Sequence, residues 1–429
     1  MRRSKIKIAA ILFSALFFAV AVFPLSLFAA DYSKEVNSQN ICVYNTEYKT
    51  AVFEKNADGK ISPGPTAKIM TAIVALEYFS SDLQRTVKVS PAALKGIYGS
   101  AVIGLVENEE IRAIDLIYAT VVGGASDAAN AIACAIAGSP SSFAVKMNEK
   151  AKALGAADTL YQNPSGLDEK GAYTTARDTA IIAAYALTVP RLVEIANTTA
   201  YKIPKTDKSD VRTVYTRNML ITNNGTNKFY YSEAKGLSAG YTDDAGYCAV
   251  AAIQGGFTYV CVAMNAEKAS TGDIGSYIDT KNLLGWAKGN FASKKVLDKS
   301  QVITELPVEL SSDRNYVTIV PQTSVYAFLP IDADVSTLEK IVVLQKEKLT
   351  APVKRGEYVG DVVVFLGDKE LGSSPLVTKL DAQRSAWLSF KNAVFDKFGI
   401  FSVAVISLIA FCVIFAVVRF YKFIKKASK

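Results

Sequence analysis

The stretch Pro63-Gly64-Pro65-Thr66-Ala67-Lys68-Ile69-Met70-Thr71 opens a long apolar run in which Lys68 is the only charged residue before Glu77. Proline is tolerated in the first turn of a helix, because the N–H that it lacks has no partner within the helix. The apolar residues that follow recur at helical spacing. The stretch therefore predicts a helix that runs from the two prolines through Thr71 to Phe79.

Two later stretches also place a short turn or strand next to small and polar residues. Gly124-Ala125-Ser126 precedes Asp127-Ala128-Ala129-Asn130, in which Asp127 is predicted to cap the following helix. Ser238-Ala239-Gly240 lies within Lys235 to Asn265, where the apolar runs predict β-strands. The first two of the three stretches are therefore predicted to lie at helix starts, and the third in a strand.

The rest of the chain predicts helices packed on an antiparallel sheet, an α+β fold. Asn40 to Glu54 reads as two strands joined by a turn, and residues 111–137 read as two helices interrupted at Gly123-Gly124. Another helix is predicted from Asp178 to Leu187. Beyond Ala292 the pattern changes to short strands separated by turns. These short strands are Tyr316 to Val320, Val325 to Leu329, Lys340 to Leu344 and Asp361 to Leu366.

The chain resembles the D-alanyl-D-alanine carboxypeptidases, the low-molecular-weight penicillin-binding proteins of serine peptidase family S11. The resemblance extends from about Asn37 to about Lys379. It implies a β-lactamase/DD-peptidase-like domain, with an antiparallel sheet flanked by helices, followed by a small all-β domain. The stretches that carry it are Lys68 to Ala72, Asn163 to Asp168, Thr175 to Asp178 and Gly240 to Cys248.

The family's three catalytic motifs are altered in this sequence. Members carry serine–x–x–lysine, serine–x–asparagine and lysine–threonine–glycine, in that order. Here Pro65 stands at the nucleophile, Gly124 at the relay serine and Ser238 at the third-motif lysine, while Ser126 replaces the asparagine. Proline also lacks the backbone N–H that would help to form an oxyanion hole. The resemblance therefore implies no intact catalytic set. The positions left to line a substrate-binding cleft are Lys68, Ser126, Ser238 and Gly240.

No other hydroxyl is well placed to replace the lost nucleophile. Side chains that meet on a helix are three or four residues apart, whereas Ser62 is six and Thr66 two residues before Lys68. Ser232 to Lys235 matches serine–x–x–lysine but precedes a predicted strand. For Lys68 itself two interpretations stay open, a retained cation that binds an acidic ligand and a remnant that pairs with a nearby carboxylate or water.

Three hypotheses for function follow. The first is a pseudoenzyme that binds peptidoglycan stem peptides or a protein of cell-wall synthesis. The alternative is an active serine D-Ala-D-Ala carboxypeptidase with a rearranged site, and the third is a structural stalk with a vestigial cleft. The sequence predicts no cofactor and no metal site.

Histidine is absent from the whole chain, which excludes a Ser-His-Asp triad, a Cys-His dyad and any histidine metal site. The five cysteines have apolar neighbours and no metal-ligand spacing. They are interpreted as small buried hydrophobic residues, with a disulfide between Cys248 and Cys261 left open. The cysteines are Cys42, Cys134, Cys248, Cys261 and Cys412.

Both ends of the chain carry targeting signals. Four basic residues precede an apolar run from Ile8 to Phe23, which predicts an export signal, with an uncleaved anchor as the alternative. Phe398 to Val418 is an uncharged run of 21 residues, long enough to span a membrane, and basic residues follow it. The main domains are therefore expected outside the cytoplasm, held to the cell membrane by a single pass.

The chain is predicted to contain six segments. Removing the basic residues of the two ends from the net charge of +8 leaves about −1 for the exported body, so no nucleic-acid partner is expected. The segments are a signal peptide at 1–30, the carboxypeptidase-like domain at 31–291, the β-rich domain at 292–379, a juxtamembrane linker at 380–397, the transmembrane helix at 398–418 and a cytoplasmic tail at 419–429.

Overall fold

The computed structural model describes residues 32–427, except the side chains of 394–398, 400–403 and 423–427. The predicted signal peptide lies outside the described residues. The chain forms two compact units, one ending at Phe291 and one beginning at Ala292.

The first unit combines a central sheet with helices, as the α+β prediction requires. In chain order its elements are β1 (Asn40–Asn45), β2 (Thr50–Lys55), α1 (Ala67–Tyr78), β3 (Thr86–Lys88), β4 (Glu110–Arg112), α2 (Ala113–Val121), α3 (Ser126–Ala137), α4 (Pro140–Ala153), α5 (Ala176–Ala186), α6 (Leu192–Ala196), β5 (Ala200–Ile203), β6 (Arg212–Tyr215), β7 (Lys235–Thr242), β8 (Gly246–Gly255), β9 (Phe257–Ala266) and α7 (Gly275–Asn290).

The sheet has five antiparallel strands in the order β2-β1-β9-β8-β7. Its central strands β8 and β9 each bury six consecutive residues, so both faces of the sheet are covered. Helix α7 packs against β8 and β9, and α5 packs against β1 and β9. This arrangement explains why these strands read as continuous apolar runs rather than as an alternating pattern.

Cys248 and Cys261 do not form a disulfide. They lie on the neighbouring strands β8 and β9, but Cys261 is paired with Ala251 rather than with Cys248. Both thiols are buried, as small apolar side chains would be. The structure therefore contradicts the disulfide alternative and confirms that Cys42, Cys248 and Cys261 are buried. Cys134 is half-buried, and Cys412 is exposed, so the interpretation as a buried residue is wrong for Cys412.

Helix α1 lies in the middle of the helical layer and packs against α2, α3, α4 and α5. Its apolar residues are buried on most of its circumference, as expected of a core helix. The predicted pair of helices around Gly123-Gly124 is confirmed, since α2 ends at Val121 and α3 begins at Ser126. The start of α1 is therefore held rigidly by the core.

The prediction that Asp127 caps α3 is wrong. The N-cap residue is Ala125, and no side chain caps the helix. The Asp127 carboxylate instead accepts hydrogen bonds from the backbone N–H groups of Ile103 and Leu105 at 3.1 and 3.0 Å, besides that of Ala128. It ties the loop before β4 to the start of α3.

Three helices of the first unit are not predicted from the sequence, namely α4, the short α6 and α7. In α4 the expected signals are present, because Ser139 caps the helix and Phe143 and Met147 recur on its buried face. In α7 they are weak, because polar residues such as Asp279 and Thr280 point into the protein and interrupt the apolar pattern. Asp279 accepts hydrogen bonds from the N–H groups of Asn37 and Ser38, which explains its burial.

The second unit is built mainly from strands, as predicted. Its elements are β10 (Phe291–Leu297), β11 (Thr304–Glu309), β12 (Tyr316–Pro321), β13 (Val325–Pro330), β14 (Glu339–Leu344), β15 (Leu349–Thr350), β16 (Tyr358–Leu366), β17 (Lys369–Thr378) and α8 (Ala386–Ala427). A six-stranded sheet has the order β14-β16-β17-β12-β11-β15, and β10 pairs with β13.

Helix α8 contains a candidate membrane span, from Ala404 to Lys422, with a mean hydropathy of 2.4 and no buried residues. Gly399 interrupts the helix with a φ of 58°. Within the described residues this is the one unbroken helix that is long and apolar enough to cross a bilayer. It overlaps most of the predicted span at 398–418.

The loop that packs on the start of α1 provides a test of this fold. Gly166 has a φ of +70°, and an added Cβ would lie 1.8 Å from the carbonyl oxygen of Gly64. Gly155 has a φ of +87°, but nothing lies within 4 Å of an added Cβ. We expect Gly155→Ala to lower the free energy of unfolding by about 1 kcal/mol, and Gly166→Ala to lower it by at least about 2 kcal/mol more.

Urea unfolding of the full-length chain in detergent, followed by circular dichroism, measures both variants against the wild type. Because the two glycines share a left-handed backbone, their difference isolates the steric contact with Gly64. Equal losses of stability in the two variants would show that the loop does not press on Gly64.

Candidate functional site

A cleft of about 380 Å³ opens between the start of α1, the start of α3 and strand β7. Its walls contain every position that the altered motifs singled out, although these are far apart in sequence. The cleft-lining positions are Pro65, Lys68, Gly124, Ser126, Ser238 and Gly240. The structure thus brings the three motif positions together, while their individual roles stay predictions.

Pro65 lies in a short 3-10 turn, Gly64–Thr66, and contacts β7 at two points. The Ser238 hydroxyl donates a hydrogen bond of 2.9 Å to the Pro65 carbonyl oxygen. The proline ring packs on Gly240, where an added Cβ would lie 2.9 Å from Cγ of Pro65. Pro65 therefore packs directly on β7, and the absence of a side chain at Gly240 leaves space for its ring.

Lys68 follows one turn later and points into the cleft. Its ammonium group donates a hydrogen bond of 2.5 Å to the carbonyl oxygen of Ser165. Burial, and then the nearby Arg217 guanidinium, lower the pKa of Lys68 to about 8. In the part of the chain that the structure describes, no carboxylate lies within ion-pair distance of Lys68. Its partner is thus a backbone carbonyl, and the ammonium charge is not neutralised.

Arg217, which no sequence motif identifies, lies beside Gly124 of the second motif. Gly124 has a φ of +66°, and an added Cβ there would lie 3.2 Å from Cδ of Arg217. The Arg217 guanidinium donates from Nε to the carbonyl oxygen of Gly123 at 3.0 Å. These residues are 94 positions apart, so only the folded chain brings them together. The space beside Gly124 is thus lined by an arginine side chain.

Most serine hydroxyls that line the cleft donate hydrogen bonds to neighbouring protein groups. Ser100 donates to Ile97 O at 2.6 Å, and Ser165 donates to Asn163 Oδ1 at 3.0 Å. Ser126, the first residue of α3, is buried and has no side-chain hydrogen bond to any residue that the structure describes. It is the cleft serine whose hydroxyl is available to a ligand.

The hydroxyls of Ser62 and Thr66, considered above as replacements for the nucleophile, also donate hydrogen bonds to other groups of the protein. The Ser62 hydroxyl donates to Asp168 at 2.8 Å, and the Thr66 hydroxyl donates to the Pro63 carbonyl at 2.6 Å. Lys235 is the first residue of strand β7, so the Ser232 to Lys235 match opens no helix. None of the three provides a serine one helical turn before Lys68.

Two acidic residues, Asp168 and Asp243, also line the cleft. Asp168 accepts hydrogen bonds from Thr242 Oγ1 at 2.8 Å and from the N–H of Asp244 at 3.0 Å, besides the one from Ser62. Asp243 also lines the cleft near the end of β7. The lining of the cleft therefore contains both cations and carboxylates.

Comparison with known proteins agrees with this geometry. A family model described as D-alanyl-D-alanine carboxypeptidase matches residues 28–268, and one described as penicillin-binding protein 5, C-terminal domain, matches residues 291–384. Similar proteins include the D-alanyl-D-alanine carboxypeptidase DacF of Bacillus subtilis, 25% identical over 79% of this chain and 84% of its own length. DacC of Escherichia coli is 28% identical over 76% and 79%.

Solved structures with the same fold cover nearly all of this chain's two units. The D-alanyl-D-alanine carboxypeptidase DacD of Francisella tularensis superposes with a TM-score of 0.62 at 20% identity, covering 86% of this chain and 98% of its own. Penicillin-binding protein 5 of Haemophilus influenzae gives 0.59 at 24% identity, covering 83% and 100%. At these identities the structures support the fold alone.

The unneutralised charge of Lys68 predicts a specific pH dependence of stability. The pKa is about 8 in the folded protein and 10.5 for an unperturbed lysine, so the folded state loses its proton first. Below pH 8 the folded protein carries the cost of a buried ammonium group, and this cost disappears as the pH rises from 8 to 10.5. The Lys68→Met variant lacks this group, so only the wild type becomes more stable as the pH rises. The free energy of unfolding of the variant minus that of the wild type should therefore fall by about 1–2 kcal/mol between pH 7 and pH 10.

Urea unfolding of both proteins at several pH values measures this difference. Lys170→Met, at an exposed lysine, is the matched control and should show a difference that does not change with pH. A Lys68→Met difference as flat as that of the control would contradict the lowered pKa.

Proposed function

The chain belongs to the D-alanyl-D-alanine carboxypeptidase family, and we propose that it is a catalytically inactive member that acts as a cell-wall-associated binding or regulatory protein. Its family connects it to peptidoglycan metabolism. The ligand that we propose for its cleft is a peptidoglycan stem peptide.

Pro65 is the observation that carries this proposal. Acyl transfer by a serine peptidase begins with attack by a hydroxyl group, and proline has neither a hydroxyl nor a backbone N–H. Pro65 cannot easily be displaced, because its ring packs on Gly240 and its carbonyl accepts the Ser238 hydroxyl. Loss of one oxyanion donor alone typically lowers a rate by about 10² to 10³. Here the nucleophile is missing as well.

The other two motif positions support the same proposal. Gly124 has no hydroxyl to relay a proton, and the Arg217 side chain lies where a side chain at 124 would project. Ser238 has no ammonium group, and its hydroxyl donates a hydrogen bond to the carbonyl oxygen of Pro65. A reaction would therefore need a new nucleophile, a new proton relay and a new contact for the substrate carboxylate.

The cleft nevertheless keeps the properties of a binding site. It is open, about 380 Å³ in volume, and lined by charged and hydroxyl groups that are not all paired with one another. We therefore favour binding of a stem peptide over a purely structural stalk, with a wall-synthesis protein as the alternative partner.

One observation favours a second function, an active carboxypeptidase with rearranged groups. Ser126 lines the same cleft as Lys68, and its hydroxyl is not used by the walls that the structure describes. A lysine with a pKa of about 8 is a competent general base near neutral pH. In this alternative Ser126 would be the nucleophile.

We also propose that the protein is anchored in the cell membrane with its two units outside the cytoplasm. The apolar window of α8 is fully exposed, which is unfavourable in water and favourable in lipid. Basic residues follow it, as expected of the cytoplasmic side of a span.

Labelling with a fluorescent penicillin tests inactivity. The full-length chain in detergent is incubated with the reagent, denatured and resolved by electrophoresis, beside an active member of the family. We expect no covalent label on this chain while circular dichroism shows it folded. A stable adduct on a serine, located by mass spectrometry, would refute the proposal.

Two variants identify the nucleophile if an adduct forms. Ser126→Ala should abolish labelling under the second hypothesis. Ser100→Ala is the matched control and should leave labelling unchanged. Ser100 lines the same cleft, but its hydroxyl donates a hydrogen bond to the carbonyl oxygen of Ile97.

Alkaline carbonate washing of membranes tests the anchor. The full-length chain should stay with the membranes. Two arginines in the span, Ala410→Arg with Val413→Arg, should release a large part of it, because each costs roughly 2.5–3.5 kcal/mol at the centre of a spanning helix. The control Asn224→Arg with Thr226→Arg adds the same charge to an exposed loop and should stay bound. Release of the wild-type chain would contradict the anchor.

A further inference from the structure

A second groove, of about 400 Å³, lies on the first unit outside the cleft. Residues of helix α7 line it, together with residues 32–34 and Tyr231, which precedes strand β7. Among the described residues, none lines both this groove and the cleft. The groove is therefore a separate candidate site, which the three altered motifs do not touch.

Aromatic rings provide the apolar surface of this groove. The rings of Tyr32 and Trp286 line it, are half-buried, and make a T-shaped contact with centroids 5.5 Å apart. Phe53 contacts both rings, at 5.5 Å from Tyr32 and 6.1 Å from Trp286. The Tyr231 ring is held by its hydroxyl, which donates to Glu233 at 3.0 Å. A ligand therefore meets rings that are already ordered, which lowers the entropic cost of binding.

Gly285 keeps the groove open. It lies on α7 next to Trp286, and an added Cβ would have one described atom within 4 Å, the Tyr231 hydroxyl oxygen at 4.0 Å. The empty space beside the helix is thus bordered by Tyr231 and large enough to accept an added side chain or a ligand. A substitution at this glycine can therefore fill the groove without a clash.

The charged groups that line the groove are cations. They are Lys34 and Lys281, and no carboxylate lines the groove in the part of the chain that the structure describes. The Lys281 ammonium donates to the carbonyl oxygen of Lys228 at 3.0 Å, which leaves two of its three protons for other acceptors. Glu233, beside the groove, forms an ion pair of 2.6 Å with Lys288. The lining thus has a net positive charge and attracts an anion.

The ring geometry favours a sugar over a flat aromatic ligand. The planes of Tyr32, Phe53 and Trp286 cross at 72–77°, so no two of these rings are parallel. A flat base is held best by stacking parallel to aromatic side chains, and crossed rings do not enclose it. The puckered ring of a sugar needs only an apolar surface under its C–H groups and donors at its edge.

We propose that this groove binds a sugar ring that carries an anionic substituent, either a carboxylate or a phosphate. The aromatic rings cover the C–H groups of the sugar, and Lys34 and Lys281 bind the anionic group through charge-assisted hydrogen bonds. This inference goes beyond the proposed function, because it gives the chain a second site and a second class of ligand. It does not depend on what the cleft binds.

The fluorescence of Trp286 tests the site directly. Trp286 and Trp387 are the two tryptophans of the chain, so Trp387→Phe leaves Trp286 as the single tryptophan fluorophore. The full-length variant, in a detergent without sugar groups, is titrated with N-acetylmuramic acid, N-acetylglucosamine 6-phosphate and the neutral N-acetylglucosamine. Both acids should change the fluorescence saturably, with dissociation constants at least about fivefold lower than that of the neutral sugar. The acid that binds more tightly identifies the anionic group.

Two glycines of α7 provide a matched pair of variants in the Trp387→Phe background. Gly285→Leu fills the groove and should raise the dissociation constants of both acids at least about tenfold. Gly289→Leu makes the same change one turn later, where nothing described lies within 4 Å of an added Cβ, and should leave them unchanged. Leucine is a better helix former than glycine, so both variants are expected to fold.

Three results would overturn the proposal. They are equal affinity for the acids and the neutral sugar, the absence of a saturable change in Trp286 fluorescence, and unchanged binding by Gly285→Leu. Tighter binding of adenosine monophosphate than of either acid would overturn it in favour of a nucleotide site. None of these results bears on the function proposed for the cleft, because the described residues that line the two sites are different.

Discussion

The position of the turn Gly64–Thr66, held between strand β7 and the Ser165–Gly166 loop, is the constraint on which the cleft depends. On one side the Pro65 ring and carbonyl contact Gly240 and Ser238. On the other, the carbonyl of Gly64 lies so close to Gly166 that only glycine fits. Because this turn leads directly into α1, its position determines where Lys68 points. The altered motifs are therefore integrated into the packing and are not loose remnants.

The substitutions in the three motifs are mutually consistent in physical terms. A proline at 65 offers a carbonyl acceptor, and Ser238 supplies the hydroxyl that binds it. A glycine at 124 leaves room, and Arg217 lies in it. Arg217 lines one small pocket with Gly124 and Ser238, so the second and third motif positions meet beside a positive charge.

Much of the fold could be predicted from the sequence because its strongest signals are local. Proline at a helix start, apolar spacing in α1 and the glycine pair between α2 and α3 all act within a few residues. Helix α7 was missed because its buried Asp279 is explained by partners at Asn37 and Ser38, far away in the chain. The capping role given to Asp127 was wrong for the same reason, since its carboxylate binds the distant loop at Ile103 and Leu105.

By itself the sequence determined the family resemblance, the domain types and which motif positions are altered, because these depend on residue identity at motif positions. Only the tertiary structure decided what the altered positions contact. Pro65 contacts Gly240 and Ser238, and Arg217 lies beside Gly124. Both sets of contacts join residues that are far apart in the sequence. Hydrogen bonds and charge repulsion depend on distance in space, and no local pattern in the chain records that distance.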